Sequence, residues 1–219
     1  MKIKYPPELV AQVKERTVGR QLTGFVAGMG PEHPQIVLLG EAPGRKEAET
    51  GVPFVGSSGQ ELMKMIALAD LTRDDVYITS VVRSRPYSIR HVQDKKTGVL
   101  VEKHPNRTPT KKEVLAYAQL FDWELQTVHP QIIVPLGNTS LQRLLGSQAN
   151  VGQLHGQPMK TTIQQSLPDN SGYEMGTAEY WVYPMYHPAA YLYARRLEPT
   201  VRTDWQRFGQ WLKKINNSV

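Results

Sequence analysis

Compact apolar runs alternate with amphipathic stretches along this chain. Residues 35–40, QIVLLG, and 132–137, IIVPLG, are compact, predominantly apolar runs that end in glycine, the pattern of strands buried on both faces. Residues 76–82, VYITSVV, are β-branched and predict a third strand, and WVYPMYHPAA, 181–190, an aromatic strand running into a turn. Helices are predicted between them. Pro6 and Pro7 with Leu9, Val10 and Val13 mark a short opening helix. Leu62, Met65, Ile66 and Ala69 recur at helical spacing, further helices fit 110–128 and 138–145, and 198–216 closes the chain with Val201, Trp205, Phe208 and Leu212 on one face. Residues 146–178 are polar and contain glycine, which predicts short strands and loops.

Apolar strands each followed by a loop and a helix predict an α/β fold, a three-layer α/β/α sandwich around a central, mostly parallel four-stranded sheet. No repeat or linker breaks the pattern, so one domain is expected over 1–219. Ligands of such sheets bind beyond the carboxyl ends of the strands. Here those ends are Gly40-Glu41, Thr79-Ser80, Leu136-Gly137 and Tyr186-His187.

Composition narrows the chemistry. The chain of 219 residues is 40% hydrophobic, enough for a sizeable core, and contains no cysteine. Disulfides, thiol nucleophiles and thiolate-held metals or clusters are thereby excluded. No His/Asp/Glu group has metal-ligand spacing, and GxGxxG and Walker patterns are absent. The N-terminal stretch lacks the apolar core of a secretory signal, and no run approaches the ~20 apolar residues of a membrane span. A soluble, cytoplasmic protein is expected. Lys and Arg number 26 against 20 Asp and Glu, a net +6. The excess concentrates in 83–112, where Arg83, Arg85, Arg90, Lys95, Lys96, Lys103, Arg107, Lys111 and Lys112 face only Asp94 and Glu102. Asp94-Lys95-Lys96-Thr97-Gly98 reads as a turn and VLVE as a strand, so this segment predicts a basic hairpin. Such a segment suits phosphate contacts or is a solvated loop; Arg195-Arg196 carries the same two readings.

Three features suit chemistry at the strand ends. Gly40-Glu41-Ala42-Pro43-Gly44 admits close approach of a ligand to the main chain, and Glu41 is either a water-positioning carboxylate or a surface residue of an ordinary turn. Phe54, in Pro53-Phe54-Val55-Gly56, either stacks on a flat ligand or plugs the core. His187, in His187-Pro188-Ala189, either donates to a developing anion or is structural.

Taken in order, these motifs resemble the family 4 uracil-DNA glycosylases, a bacterial and archaeal family known for an iron–sulfur cluster. Gly40 to Gly44, Glu47, then Gly51-Val52-Pro53-Phe54-Val55-Gly56 with Gly59 and Leu62 match its first motif almost without a break. Ile78 to Pro86, Asn106-Arg107-Thr108-Pro109, Ile132 to Asn138, and His187-Pro188-Ala189 resemble the segments that follow. Three departures stand out. The places of the family's four cysteines are held by Val13, Arg16, Ser84 and Tyr117, so no cluster is expected, and packing by Val13 and Tyr117 with polar contacts from Arg16 and Ser84 takes its place. Ser80 stands where the family has an asparagine for the uracil edge, and one hydroxyl cannot make the paired contact of an amide. The segment from Tyr87 to Pro105, the basic hairpin, is an insertion.

The resemblance implies a monofunctional DNA repair glycosylase, monomeric, without cofactor or metal, that flips uracil out of single- or double-stranded DNA and leaves an abasic site. It implies Glu41 and His187 as catalytic residues. Gly40, Ala42, Pro43, Gly44, Glu47, Phe54 and Ser80 would bind the base, and Arg85, Arg107, Arg195 and Arg196 the DNA. Ser80 and the lost cysteines leave two alternatives: a DNA-binding protein that no longer catalyses, and a glycosylase for another deaminated base. A nucleotide hydrolase using Gly40–Gly44 as a phosphate loop is a third, disfavoured by the lack of a P-loop lysine.

Overall fold

The structure is a computed structural model and describes residues 1–94 and 97–217. Lys95 and Lys96, part of the predicted basic turn, lie outside the described residues. Helix α1 (Pro7–Arg16) is followed by strands β1 (Leu22–Thr23) and β2 (Ile36–Gly40), helices α2 (Arg45–Thr50) and α3 (Ser57–Ala67), and β3 (Val76–Ser80). Next come β4 (Arg85–Pro86), the strands β5 (Arg90–Gln93) and β6 (Leu100–Lys103), and helices α4 (Lys111–Ala116) and α5 (Ala118–Val128). The chain continues through β7 (Ile132–Pro135), α6 (Asn138–Leu145), α7 (Val151–Leu154), β8 (Met159–Ser166) and β9 (Tyr173–Val182) to α8 (Ala190–Tyr193) and α9 (Glu198–Asn216).

The central sheet runs β3-β2-β7-β9-β8. Four strands are parallel, and β8 pairs antiparallel with β9 at one edge. Alternation along the buried strands sorts the core into two layers. Val37, Leu39, Tyr77, Ile133 and Val182 pack with Val13 of α1 and Leu120, Phe121 and Leu125 of α5. Ile36, Leu38, Val76, Ile78, Ile132 and Val134 pack on the other face with Leu62, Met65 and Ile66 of α3 and Val201, Trp205, Phe208 and Leu212 of α9. The apolar stripes of the first, third and last helices therefore meet the sheet as their spacing predicts.

Three expectations are corrected. The sheet has five strands, because the polar stretch 146–178 supplies β8 and most of β9. Only Trp181 and Val182 of β9 pair with β7, whereas its pairing with β8 reaches back to Tyr173. Most positions of this hairpin are only partly buried or exposed, and few of them are apolar enough to signal strand. The expected helix 110–128 breaks at Tyr117, whose φ of −94° and ψ of 0° end α4 and begin α5. The loop after β2 folds a short helix, α2, capped through Glu47. The hairpin forms as predicted, with Arg90 opposite Lys103 and His91 opposite Glu102. Among the described residues no helix is long and apolar enough to cross a membrane.

Candidate active site

The parallel strands end along one edge of the core. Gly40 lies in register with Ser80 at the ends of β2 and β3. Beyond β7, Leu136 bridges to Met185, and the Gly137 N–H donates to the Met185 carbonyl at 2.9 Å, which brings the chain to His187. Gly137 has φ +91°, a conformation that side chains rarely adopt. A cleft of about 740 Å³ opens over these ends, walled by Glu41 to Gly44, Phe54, Ser80, Asn106, Thr108 and His187.

Phe54 is held in an unfavourable backbone conformation, φ +51°. Such strain persists only where the surroundings over-determine it. The Glu47 carboxylate accepts from the Val55 N–H at 3.0 Å and the Gly56 N–H at 2.6 Å through one oxygen, and from the Gly44 N–H at 3.1 Å through the other. Arg73 donates to the Pro53 carbonyl at 2.6 Å. Gly59 admits the Phe54 carbonyl so closely that a Cβ there would lie 2.0 Å from it. The ring then lies against Gly40, where a Cβ would come within 2.7 Å of it. Phe54 is thus half-buried and stands on the cleft floor, its ring 6.4 Å from that of His187.

His187 and Glu41 are tuned by burial and by their partners. Burial pulls the His187 pKa below its ordinary value, which favours the neutral ring. Its Nδ1 accepts from the Ala189 N–H at 3.2 Å, so the ring proton resides on Nε2. Burial raises the pKa of Glu41, opposed by hydrogen bonds from the hydroxyls of Thr139 and Thr108. These donors favour the anion inside a partly water-excluded site. Thr79 turns inward and donates to the buried Glu124 at 3.0 Å, so that its neighbour Ser80 faces the cleft. Among the described residues the Ser80 hydroxyl has no protein partner.

The expected residues differ in their surroundings. Gly40, Glu41, Ala42, Pro43, Gly44, Phe54, Ser80 and His187 come together as expected. Glu47 also borders the cleft, and its two oxygens accept from three backbone N–H groups, so it ties the loop. Arg85 is buried, its guanidinium donating to Asn106 Oδ1 at 2.6 Å and to the His104 carbonyl. Arg107 is locked on both oxygens of Glu113, each at 2.7 Å. Arg85 is thus turned into the protein, whereas Arg107, although ion-paired, borders the cleft. Arg195 and Arg196 are exposed on a single 3₁₀ turn just beyond Tyr193, which borders the cleft and is 91% exposed.

Three contributors escape the sequence reading. Thr108 and Thr139 hold Glu41, and Asn106, its oxygen occupied by Arg85, borders the cleft. All sit inside or beside the motifs quoted above, but nothing in one sequence distinguishes a threonine that holds a carboxylate from one that does not.

The four residues that the resemblance sets in the family's cysteine places lie in neighbouring segments. The Tyr117 hydroxyl donates to Ser84 Oγ at 2.7 Å, and Ser84 donates to the Gly24 carbonyl at 2.6 Å. Val13 and Tyr117 share one core cluster, and Arg16 donates to Gln119 at 2.8 Å, joining α1 to α5. These residues supply no thiolate, and a buried phenol ring fills part of the space, so the site does not fit an iron–sulfur cluster.

Comparison with known proteins agrees with this geometry. Residues 27–214 match the model of the uracil DNA glycosylase superfamily. The chain is 34% identical to the type-4 uracil-DNA glycosylase of Archaeoglobus fulgidus over 188 residues, covering 86% of this chain and 82% of that one. It is 30% identical to that of Sulfurisphaera tokodaii over 201 residues, 91% and 80% of the two chains, and 33% identical to that of Thermotoga maritima over 138 residues, 63% of each. With strand ends, glycine loop and terminal histidine placed as described, the chain belongs to the uracil-DNA glycosylase superfamily.

Proposed function

We propose that this protein excises uracil from DNA as a monofunctional glycosylase. The observation that carries the reading is His187: a ring favoured in its neutral form by burial, its proton directed to Nε2 by the Ala189 N–H, on the wall of the cleft that Phe54 floors. A base inside a duplex is out of reach, so the nucleotide is extruded into the cleft. The base stacks on Phe54, while backbone groups of Glu41 and Ala42 and the Ser80 hydroxyl meet its edge. The N-glycosidic bond breaks with its electron pair leaving on the base. His187 Nε2–H donates to the base oxygen that gains this charge. A preorganised donor of this kind typically contributes 10²–10³ in rate, about 2.7–4 kcal/mol. Glu41, as the anion, balances the cationic sugar and orients the water that adds to C1′. The water proton neutralises the departing base, leaving an abasic site. The exposed Arg195 and Arg196 hold phosphates beside the cleft.

The test is incubation with oligonucleotides bearing one uracil, followed by alkaline cleavage. Product is expected from the native protein, and His187→Ala should lose 10²–10³ of the rate at unchanged folding. No product at stoichiometric enzyme refutes uracil excision, and an unchanged rate in His187→Ala removes that residue from the mechanism. Ser80 supports a second reading, relaxed base choice, because a site without the amide loses the penalty that an unpaired polar group imposes on the wrong base. A hypoxanthine-bearing oligonucleotide in the same assay separates the two.

A further inference from the structure

The inserted hairpin has two unlike faces. On one, the His91 and His104 Nε2 atoms flank the Glu102 carboxylate at 3.4 and 2.6 Å, so its polar groups have partners within the hairpin. On the other, Arg90 stands directly opposite Lys103, with half-buried Val92 and Val101 beside them. Both cations are exposed, and among the described residues no carboxylate pairs with either. Like charges facing each other across a strand pair oppose folding of that hairpin. An anion bound between them removes the repulsion.

The hairpin is rooted in the cleft wall. Tyr87 bridges to Asn106, the Ser88 N–H donates to the Pro105 carbonyl at 2.9 Å, and the buried Arg85 guanidinium grips both the His104 carbonyl and Asn106. Asn106 and Thr108, on the same segment, line the cleft. Lys103 lies three residues before Asn106 in extended chain, roughly 10 Å at strand rise. That is roughly three nucleotide steps along one strand of a duplex. We propose that the Arg90–Lys103 face of the hairpin clamps the phosphodiester backbone about three nucleotides from the extruded base. The clamp rests on the uracil-excision reading only for the position of that base; the phosphate contact itself does not need catalysis.

The test uses the full chain and a uracil-free 25-base-pair duplex, with affinity read by fluorescence anisotropy from 50 to 200 mM salt. In Arg90→Gln/Lys103→Gln the slope of log affinity against log salt should shrink by about 1.8, at 0.9 per phosphate contact, so the native protein loses about twelvefold more affinity than the variant over this range. Lys103→Glu is the second variant. It creates an opposite-charge pair with Arg90, so the melting temperature should hold or rise while duplex affinity falls. A purely structural role for the hairpin predicts unchanged affinity. Salt slopes unchanged in both variants overturn the clamp, whatever the excision assay shows. A reduced slope in a protein that excises nothing upholds the clamp and refutes the catalytic reading alone. Excision from a uracil-bearing trinucleotide, too short to reach Lys103, should be the same in native and variant proteins.

Discussion

Tyr117 is where a chain without cysteine makes its internal packing measurable. Its side chain is 1% exposed, its ring packs with Val13, Leu120 and Phe121 in one core layer, and its hydroxyl donates to Ser84, which passes the chain on to Gly24. Three separate segments, α1, the stretch after β3 and the α4–α5 junction, are joined there without a metal. Tyr117→Phe removes only the hydroxyl. Ser84 still has the Gly24 carbonyl, so the cost should be that of one hydrogen bond, about 1 kcal/mol. Tyr117→Ala removes the ring as well and leaves a cavity among side chains that pack on every side. Large aromatic deletions in cores cost about 3–5 kcal/mol. For a chain of this size each kcal/mol lowers Tm by roughly 2–4 °C, so Tyr117→Ala should melt roughly 6–20 °C below the native protein and Tyr117→Phe only a few degrees below. Thermal unfolding followed by circular dichroism reads both. A shift under about 2 °C for Tyr117→Ala would refute the idea that this residue staples the three segments.

Two further outcomes concern the cleft. Thr139→Val deletes a hydrogen bond that lowers the Glu41 pKa against the effect of burial, so that pKa rises. Activity that needs the Glu41 anion is lost as pH falls through this pKa. The acid limb of the pH profile of kcat/KM should therefore move to higher pH, and a limb that stays put or moves lower contradicts the assignment. Gly40→Ala places a Cβ within 2.7 Å of the Phe54 ring, which must leave its position. Excision should fall at least tenfold with the fold intact, and native kinetics would show that Phe54 does not need this seat.

Much of the fold was legible because burial on both faces of a parallel sheet demands continuous apolar runs. Residues 36–40 and 132–135 show that pattern plainly, 76–80 shows it in its β-branched residues, and α9 shows its stripe. Short strands were expected in 146–178, but the length of the β8–β9 hairpin and its place in the central sheet were not legible, since most of its positions are partly exposed and free to be polar. The break at Tyr117 was also hidden: the residues on either side are ordinary helix formers, and the interruption accompanies a ring that is turned inward to reach Ser84, distant in sequence.

The site divides along the same line. Glycine, proline and aromatic residues at the strand ends are local requirements of backbone conformation and ligand approach, so Gly40–Gly44, Phe54 and His187 could be named from their order alone. The destination of a charged side chain is not local. Glu47, Arg85 and Arg107 read as candidate contacts for base or phosphate, and each also meets protein partners that the sequence does not reveal. Arg90 and Lys103 looked no different from their basic neighbours until the pairing of β5 with β6 set them face to face. A charge is satisfied by whatever lies within a few ångströms of it, and in a folded chain those neighbours are brought there by the tertiary packing of segments far apart in sequence.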